Sequence, residues 1–195
     1  MSKKVIKSAL VIGGSGALGK SVVNSLKTLK SGCFVYSADF IKNKQASKNI
    51  LLPKKYDKDS MKQIRKNLKH KFDLIINVAG GFKPHNLKND DIVSIAEKMY
   101  SANMLSSILA ANIAKSHMKN NGLLVLTGAA GVKDSTGTGI LAYQLAKHSV
   151  HNLTNILVEN PQELPNVKKI VTLLPYIFYL FSINFLLIFI AYCLC

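Results

Sequence analysis

Tyr143 and Lys147 lie four residues apart in the stretch Gly139-Ile-Leu-Ala-Tyr-Gln-Leu-Ala-Lys-His-Ser-Val-His-Asn-Leu153. On a helix that spacing puts both side chains on one face, a turn apart. A lysine cation beside a phenol favours the phenolate. The pair therefore predicts a Tyr143 pKa lowered towards working pH and a hydroxyl able to pass a proton to a substrate. Such a pair also occurs by chance on solvated helix faces, so its meaning depends on its surroundings.

A second constellation stands near the amino end. Gly13-Gly-Ser-Gly16-Ala17-Leu18-Gly19 follows the apolar run Ser8–Ile12 and leads into Leu18, Val22, Leu26 and Leu29 at helical spacing. Strand, glycine turn and helix in that order suit a pyrophosphate: glycines let backbone N–H groups approach it, and the helix N-terminus favours its charge. The spacing is G-x-x-G-x-x-G, not the commoner G-x-G-x-x-G. Asp39 ends a second strand-like run, Cys33–Ala38, twenty residues past Gly19. An acid there takes the ribose hydroxyls of NAD and repels the extra phosphate of NADP. Lys42 and Lys44 stand close enough to soften that preference.

The remaining elements must bring these groups together. Asn49–Leu52 reads as a third strand, and Asp57 or Asp59 as the cap of a helix burying Met61, Ile64 and Leu68. Asp73–Val78 is a fourth strand, and Ala79-Gly80-Gly81-Phe82 beyond it leaves room for a ligand at the sheet edge. Asn89 is placed to cap a helix carrying Ile92, Ile95, Met99 and Asn103, continuing through Leu105, Leu109 and Ile113. Asn103, polar on an apolar stretch, is either a satisfied buried amide or a proton relay. Gly122–Thr127 is a fifth strand, and a small-residue loop then leads to the Tyr143 helix. Val167–Leu174 is a sixth, ending at Pro175. Strands alternating with helices predict a doubly wound parallel α/β domain, Rossmann-like, over residues 1–175.

Composition narrows the function. The 195 residues are 48% apolar, enough for one sizeable core. The net charge of +16 invites a nucleic-acid reading, but Arg65 is the sole arginine and the lysines are scattered. Base readout prefers arginine and no nucleic-acid motif is present, so we expect no such partner. A lysine-rich proteome is the simpler source of the charge, although a positive field is also able to draw in an anionic dinucleotide. Cys33, Cys193 and Cys195 form neither a disulfide framework nor a zinc set, and the five histidines show no ligand spacing, so no metal is expected. The amino end has no signal-peptide pattern, which predicts a cytoplasmic protein.

Together, the glycine loop, Asp39, Asn77-Val-Ala-Gly80, Asn103 and Tyr143-x-x-x-Lys147 resemble the short-chain dehydrogenase/reductase family. Within it the likeness is to the dihydropteridine reductases. It is carried by Gly13–Gly19, Val78-Ala-Gly-Gly-Phe82, Gly122–Ala129 and Tyr143–Leu153, and by Asp39 to Leu52. The resemblance implies hydride transfer from NADH, with NADPH possible, to a quinonoid dihydropterin. Tyr143 is then the proton donor. Lys147 holds the nicotinamide ribose, and Asn103 lies in the proton path. Gly13, Gly16, Ala17, Leu18, Gly19, Asp39, Ala79 and Gly80 bind the cofactor, and Phe82 is the aromatic against which a pterin packs. Most family members carry a serine about thirteen residues before the tyrosine. Here that neighbourhood is Ala129-Ala130, and Thr127 and Ser135 are the nearest hydroxyls. Dihydropteridine reductases are similar in lacking it, whereas a carbonyl reductase would need it. A homodimer through the long helices flanking strand five is also implied.

The resemblance stops at Pro175. Members of the family continue with a substrate loop, a helix and a further strand, so that last strand region is expected to be missing. Residues 176–195 are apolar and uncharged instead, about long enough to span a bilayer. The preferred expectation is an altered carboxyl end. The alternatives are a membrane tail, another carbonyl reductase, or a non-catalytic NADH-binding product.

Overall fold

The structure, a computed structural model, describes residues 5–29, 32–133 and 139–175. Residues 176–195, with the proposed tail and its two cysteines, and Ser135 lie outside the described residues.

The described residues form a parallel sheet in the order β3-β2-β1-β4-β5-β6. Its strands are β1 (Ser8–Ile12), β2 (Phe34–Asp39), β3 (Lys48–Leu51), β4 (Phe72–Asn77), β5 (Met118–Thr127) and β6 (Val167–Leu173). The chain runs outward from β1 to β3, then crosses back to β4 on the other side of β1. The order therefore reverses between β1 and β4, and a crevice opens at the carboxyl ends of those strands. β6 is the edge on that side among the described residues.

Side-chain alternation gives the sheet two buried faces. Leu10, Ile12, Ile75, Leu124 and Leu126 join one cluster, which holds Ile64, Leu109, Ile113 and Val150 from the helices α2 (Lys58–Asn67), α4 (Ser106–His117) and α6 (Leu141–Glu159). Ala9, Val11, Leu74, Ile76, Leu123 and Val125 join the other, against Val22, Val23 and Leu26 of α1 (Ala17–Lys27). Strands covered on both faces are largely apolar, which is why Ala9–Ile12 of β1 and Leu74–Ile76 of β4 read as continuous runs.

Several boundaries differ from the sequence reading. Leu29 lies past α1, which ends at Lys27. β5 begins at Met118, before the polar Lys119-Asn-Asn121. Asn121 takes a left-handed φ of 61° and the register with β4 shifts between Phe72 and Leu74, so the strand is irregular over its polar start. Asp57, not Asp59, caps α2: its carboxylate accepts from the Ser60 N–H at 2.8 Å, while Ser60 Oγ accepts from the Asp57 N–H at 2.9 Å. Asn89 does not cap the following helix, α3 (Ile92–Tyr100), whose N-cap is Asp91. The Asn89 carboxamide instead accepts from the Asn86 N–H at 2.8 Å and closes the turn upstream. Nor is the helix unbroken to Ile113: Ser101–Leu105 forms a π-helical turn between α3 and α4.

Candidate active site

The glycine loop turns tightly because β1 meets the end of β4. Gly13 has φ +80°, and a Cβ on it would lie 2.8 Å from the Ala79 Cβ. A Cβ on Gly19 would stand 2.7 Å from the Gly14 Cα, so α1 starts directly against the loop. Gly16 is the N-cap of α1; no side chain caps it, and the first turn holds no acid. The first N–H groups of α1 are thus left for an outside acceptor, at the positive end of the helix dipole.

Asp39, at the end of β2, faces this loop. Its carboxylate accepts from the Ser15 N–H at 2.8 Å and from the Phe40 N–H at 2.7 Å. Two further residues, which the motifs did not single out, lock the arrangement. Asn43 is buried and donates to the Gly14 carbonyl at 2.6 Å, while Ser15 Oγ donates to the Ile41 carbonyl at 2.7 Å. Their signal in the sequence is faint: polar residues in a loop, with backbone partners far away in the chain. An uncapped helix end for a pyrophosphate and an acid for ribose hydroxyls fit a dinucleotide.

Beyond the loop, a cleft of about 240 Å³ runs between Leu18, Ala79, Gly80, Phe82, Asn103, Thr127, Tyr143 and Lys147. It gathers residues from the ends of β4 and β5, from the π-helical turn and from α6. Lys147 is buried, and its ammonium donates to the Thr127 carbonyl at 2.8 Å, 5.8 Å from the Tyr143 ring centroid. Phe82 stands edge-on to Tyr143, with centroids 5.1 Å apart and planes at 88°.

The expected lowering of the Tyr143 pKa is not met in this arrangement. Burial pushes the phenol up, and the ammonium is directed at a backbone carbonyl rather than at the hydroxyl. Burial also lowers Lys147 from an ordinary 10.5 to about 8. At neutral pH the lysine is still mostly cationic.

Asn103 lies in the cleft wall. It is buried in the π-helical turn, and its Nδ2 donates to the Gly81 carbonyl at 3.0 Å and the Met99 carbonyl at 2.9 Å. Its own carbonyl accepts from Ser107 Oγ at 2.9 Å. Ser106 and Ser107 in turn each accept from the Asn77 amide at 3.0 Å. Thr127 Oγ1 donates to the Asn77 carbonyl at 2.7 Å, so this hydroxyl is spent inside the sheet.

No protein-family model matches the chain. Dihydropteridine reductase of Dictyostelium discoideum is 32% identical over 171 residues, covering 87% of this chain and 73% of that protein. The chain belongs to the short-chain dehydrogenase/reductase family. Within that family its likeness is to dihydropteridine reductase. A short-chain dehydrogenase family protein from Francisella tularensis has the same fold, with TM-score 0.71 at 22% identity, covering 88% of this chain and 69% of the other. So does BdcA, solved in complex with NADPH, with TM-score 0.70 at 18% identity over 87% of this chain and 70% of BdcA.

In this short-chain dehydrogenase/reductase, the Ala129-Ala130 segment leaves β5 with its backbone held: Ala129 N–H donates to His151 Nε2 at 3.2 Å. Among the described residues no group of three His, Cys, Asp or Glu side chains is placed to hold a metal ion, and no helix is long and apolar enough to cross a membrane.

Proposed function

We propose that this chain is an NADH-dependent dihydropteridine reductase, converting quinonoid dihydropterin to tetrahydropterin. The observation that carries the reading is a cleft with the Tyr143–Lys147 pair and Phe82 on its wall, Ala130 thirteen residues before Tyr143, and Thr127 Oγ1 already bonded to the sheet. A substrate that takes hydride into a conjugated ring needs no hydroxyl to stabilise an alkoxide. The 32% identity to the Dictyostelium enzyme supports the same substrate.

Gly13, Gly16, Ala17, Leu18 and Gly19 hold the pyrophosphate, Asp39 the adenosine ribose, and Ala79, Gly80 and Lys147 the nicotinamide end. NADH supplies the hydride when bound. Asp39 favours NADH over NADPH by repelling a ribose phosphate. Tyr143 keeps its proton at neutral pH and delivers it to the pterin. Lys147 lends positive charge beside it, Phe82 offers a ring to the flat substrate, and Asn103, bonded into the cleft wall, lies in the proton path. Residues 1–175 form the reductase unit, which we place in the cytoplasm. α4 and α6 expose Ile108, Leu145 and Val158, apolar surface that supports a homodimer. The test is NADH consumption by the chain with chemically generated quinonoid dihydropterin. Soluble protein that binds NADH but leaves the pterin unreduced would overturn the reading.

A further inference from the structure

His85 is buried on the loop that follows Phe82, fifty-seven residues before its partner Ala142 at the start of α6. Its ring makes two short hydrogen bonds. Nδ1 lies 2.7 Å from the Lys83 carbonyl, and Nε2 lies 2.7 Å from the Ala142 backbone nitrogen. A carbonyl can only accept and a backbone N–H can only donate. Nδ1 must therefore carry the hydrogen and Nε2 must be bare. The backbone repeats the link, since His85 N–H donates to the Gly139 carbonyl at 2.7 Å and His85 pairs with Ile140 in a parallel bridge.

The consequence lies in what the ring joins. Ala142 is the second residue of α6, whose N-cap, Ile140, has no side-chain acceptor of its own. His85 Nε2 satisfies one of the N–H groups that a helix start leaves open. On one side of this bond is the helix that carries Tyr143 and Lys147, and on the other is the loop that carries Phe82. We propose that His85, as the neutral Nδ1–H tautomer, is a positioning residue that holds the Tyr143 helix and the Phe82 loop in one geometry across the substrate end of the cleft. For its effect on turnover the proposal rests on the pterin-reductase reading; for the tautomer it does not.

A long-range proton–nitrogen NMR correlation on the whole labelled chain reads the tautomer directly, with His85→Gln assigning the signal. A protonated Nδ1 and an unprotonated Nε2 are expected. An Nε2–H tautomer or an imidazolium at neutral pH would overturn the proposal. Variants carry the second arm. His85→Gln keeps an acceptor in reach of Ala142, whereas His85→Asn does not. In His85→Asn the Ala142 amide should exchange faster, kcat with quinonoid dihydropterin should fall about tenfold, and NADH affinity should stay within about threefold. His85→Gln should recover most of the loss. Equal kcat and equal amide protection in both variants would sink the idea. If the wild-type chain reduces no pterin, the substrate assignment fails, while the NMR and exchange readouts still decide the role of His85.

Discussion

Asp39 Oδ2 accepts the Ser15 N–H at 2.8 Å, so the acid that ends β2 also fixes the glycine loop that follows β1. Specificity and loop geometry are thus joined in one carboxylate, and two substitutions separate them. Asp39→Asn keeps an acceptor for Ser15 but drops the charge. The NADPH-to-NADH ratio of kcat/KM should rise about tenfold or more, with the melting temperature little changed. Asp39→Ala should in addition cost ~1–2 kcal/mol of stability by leaving two loop N–H groups unpaired. Steady-state kinetics with both cofactors, beside thermal melts, check this.

Tyr143→Phe removes the hydroxyl and leaves a ring to pack on Phe82. Turnover of quinonoid dihydropterin should drop by roughly 10²-fold or more, the range for a lost general acid. NADH affinity, read by fluorescence titration, should hold. Unchanged turnover would remove Tyr143 from the mechanism.

Lys147 links stability to pH. Its folded value of about 8 lies below the ordinary 10.5. Between those values the unfolded chain binds a proton that the folded chain has released, so stability rises with pH across that window. Below it, the buried ammonium is a cost of order 3 kcal/mol at most. Lys147→Met should flatten the rise and stabilise the cofactor-free protein at pH 7, while abolishing turnover. Urea denaturation below pH 8 and above pH 10 tests both parts; equal slopes in the two proteins would refute them.

Asn103→Leu leaves the Gly81 and Met99 carbonyls without their amide. The expected cost is ~1–3 kcal/mol, with a fall in kcat as the Gly81 segment loosens. A merely apolar role would leave the urea midpoint unchanged.

Ala130→Ser restores a hydroxyl thirteen residues before Tyr143. Pterin turnover should stay within about threefold, while ketone or aldehyde reduction should appear, since one such donor is worth about 10²-fold to a developing oxyanion. A substrate panel on both proteins decides it.

Much of this was legible from local pattern. Ala9–Ile12 and Leu74–Ile76 read as buried strands because the apolar runs are short and glycines follow within a few residues, and Gly13 to Gly19 read as the turn from strand to helix. What escaped the sequence depends on partners distant in the chain. Asn43 and His85 looked like ordinary loop residues because their partners are backbone groups at Gly14, Lys83 and Ala142. Ser101–Leu105 reads as plain helix: it holds no helix-breaking residue, and the Asn77–Ser106–Ser107 bonds beside the π-turn join residues about thirty apart in the chain. The Tyr143–Lys147 spacing was read correctly but its electrostatics were not, because burial acts on both groups and spacing alone says nothing of burial.

The strand order has a consequence for how the chain is made. β1 precedes both β2 and β4 in the chain, yet it sits between them, with Leu10 paired to both Tyr36 and Ile75. Its β2 side can close early, but its other edge stays open until residues near Asn77 emerge. Through that interval an apolar strand presents unpaired backbone to the cell. Closing that edge takes a non-local pairing, a kind of step that is slow and leaves the strand exposed to aggregation meanwhile.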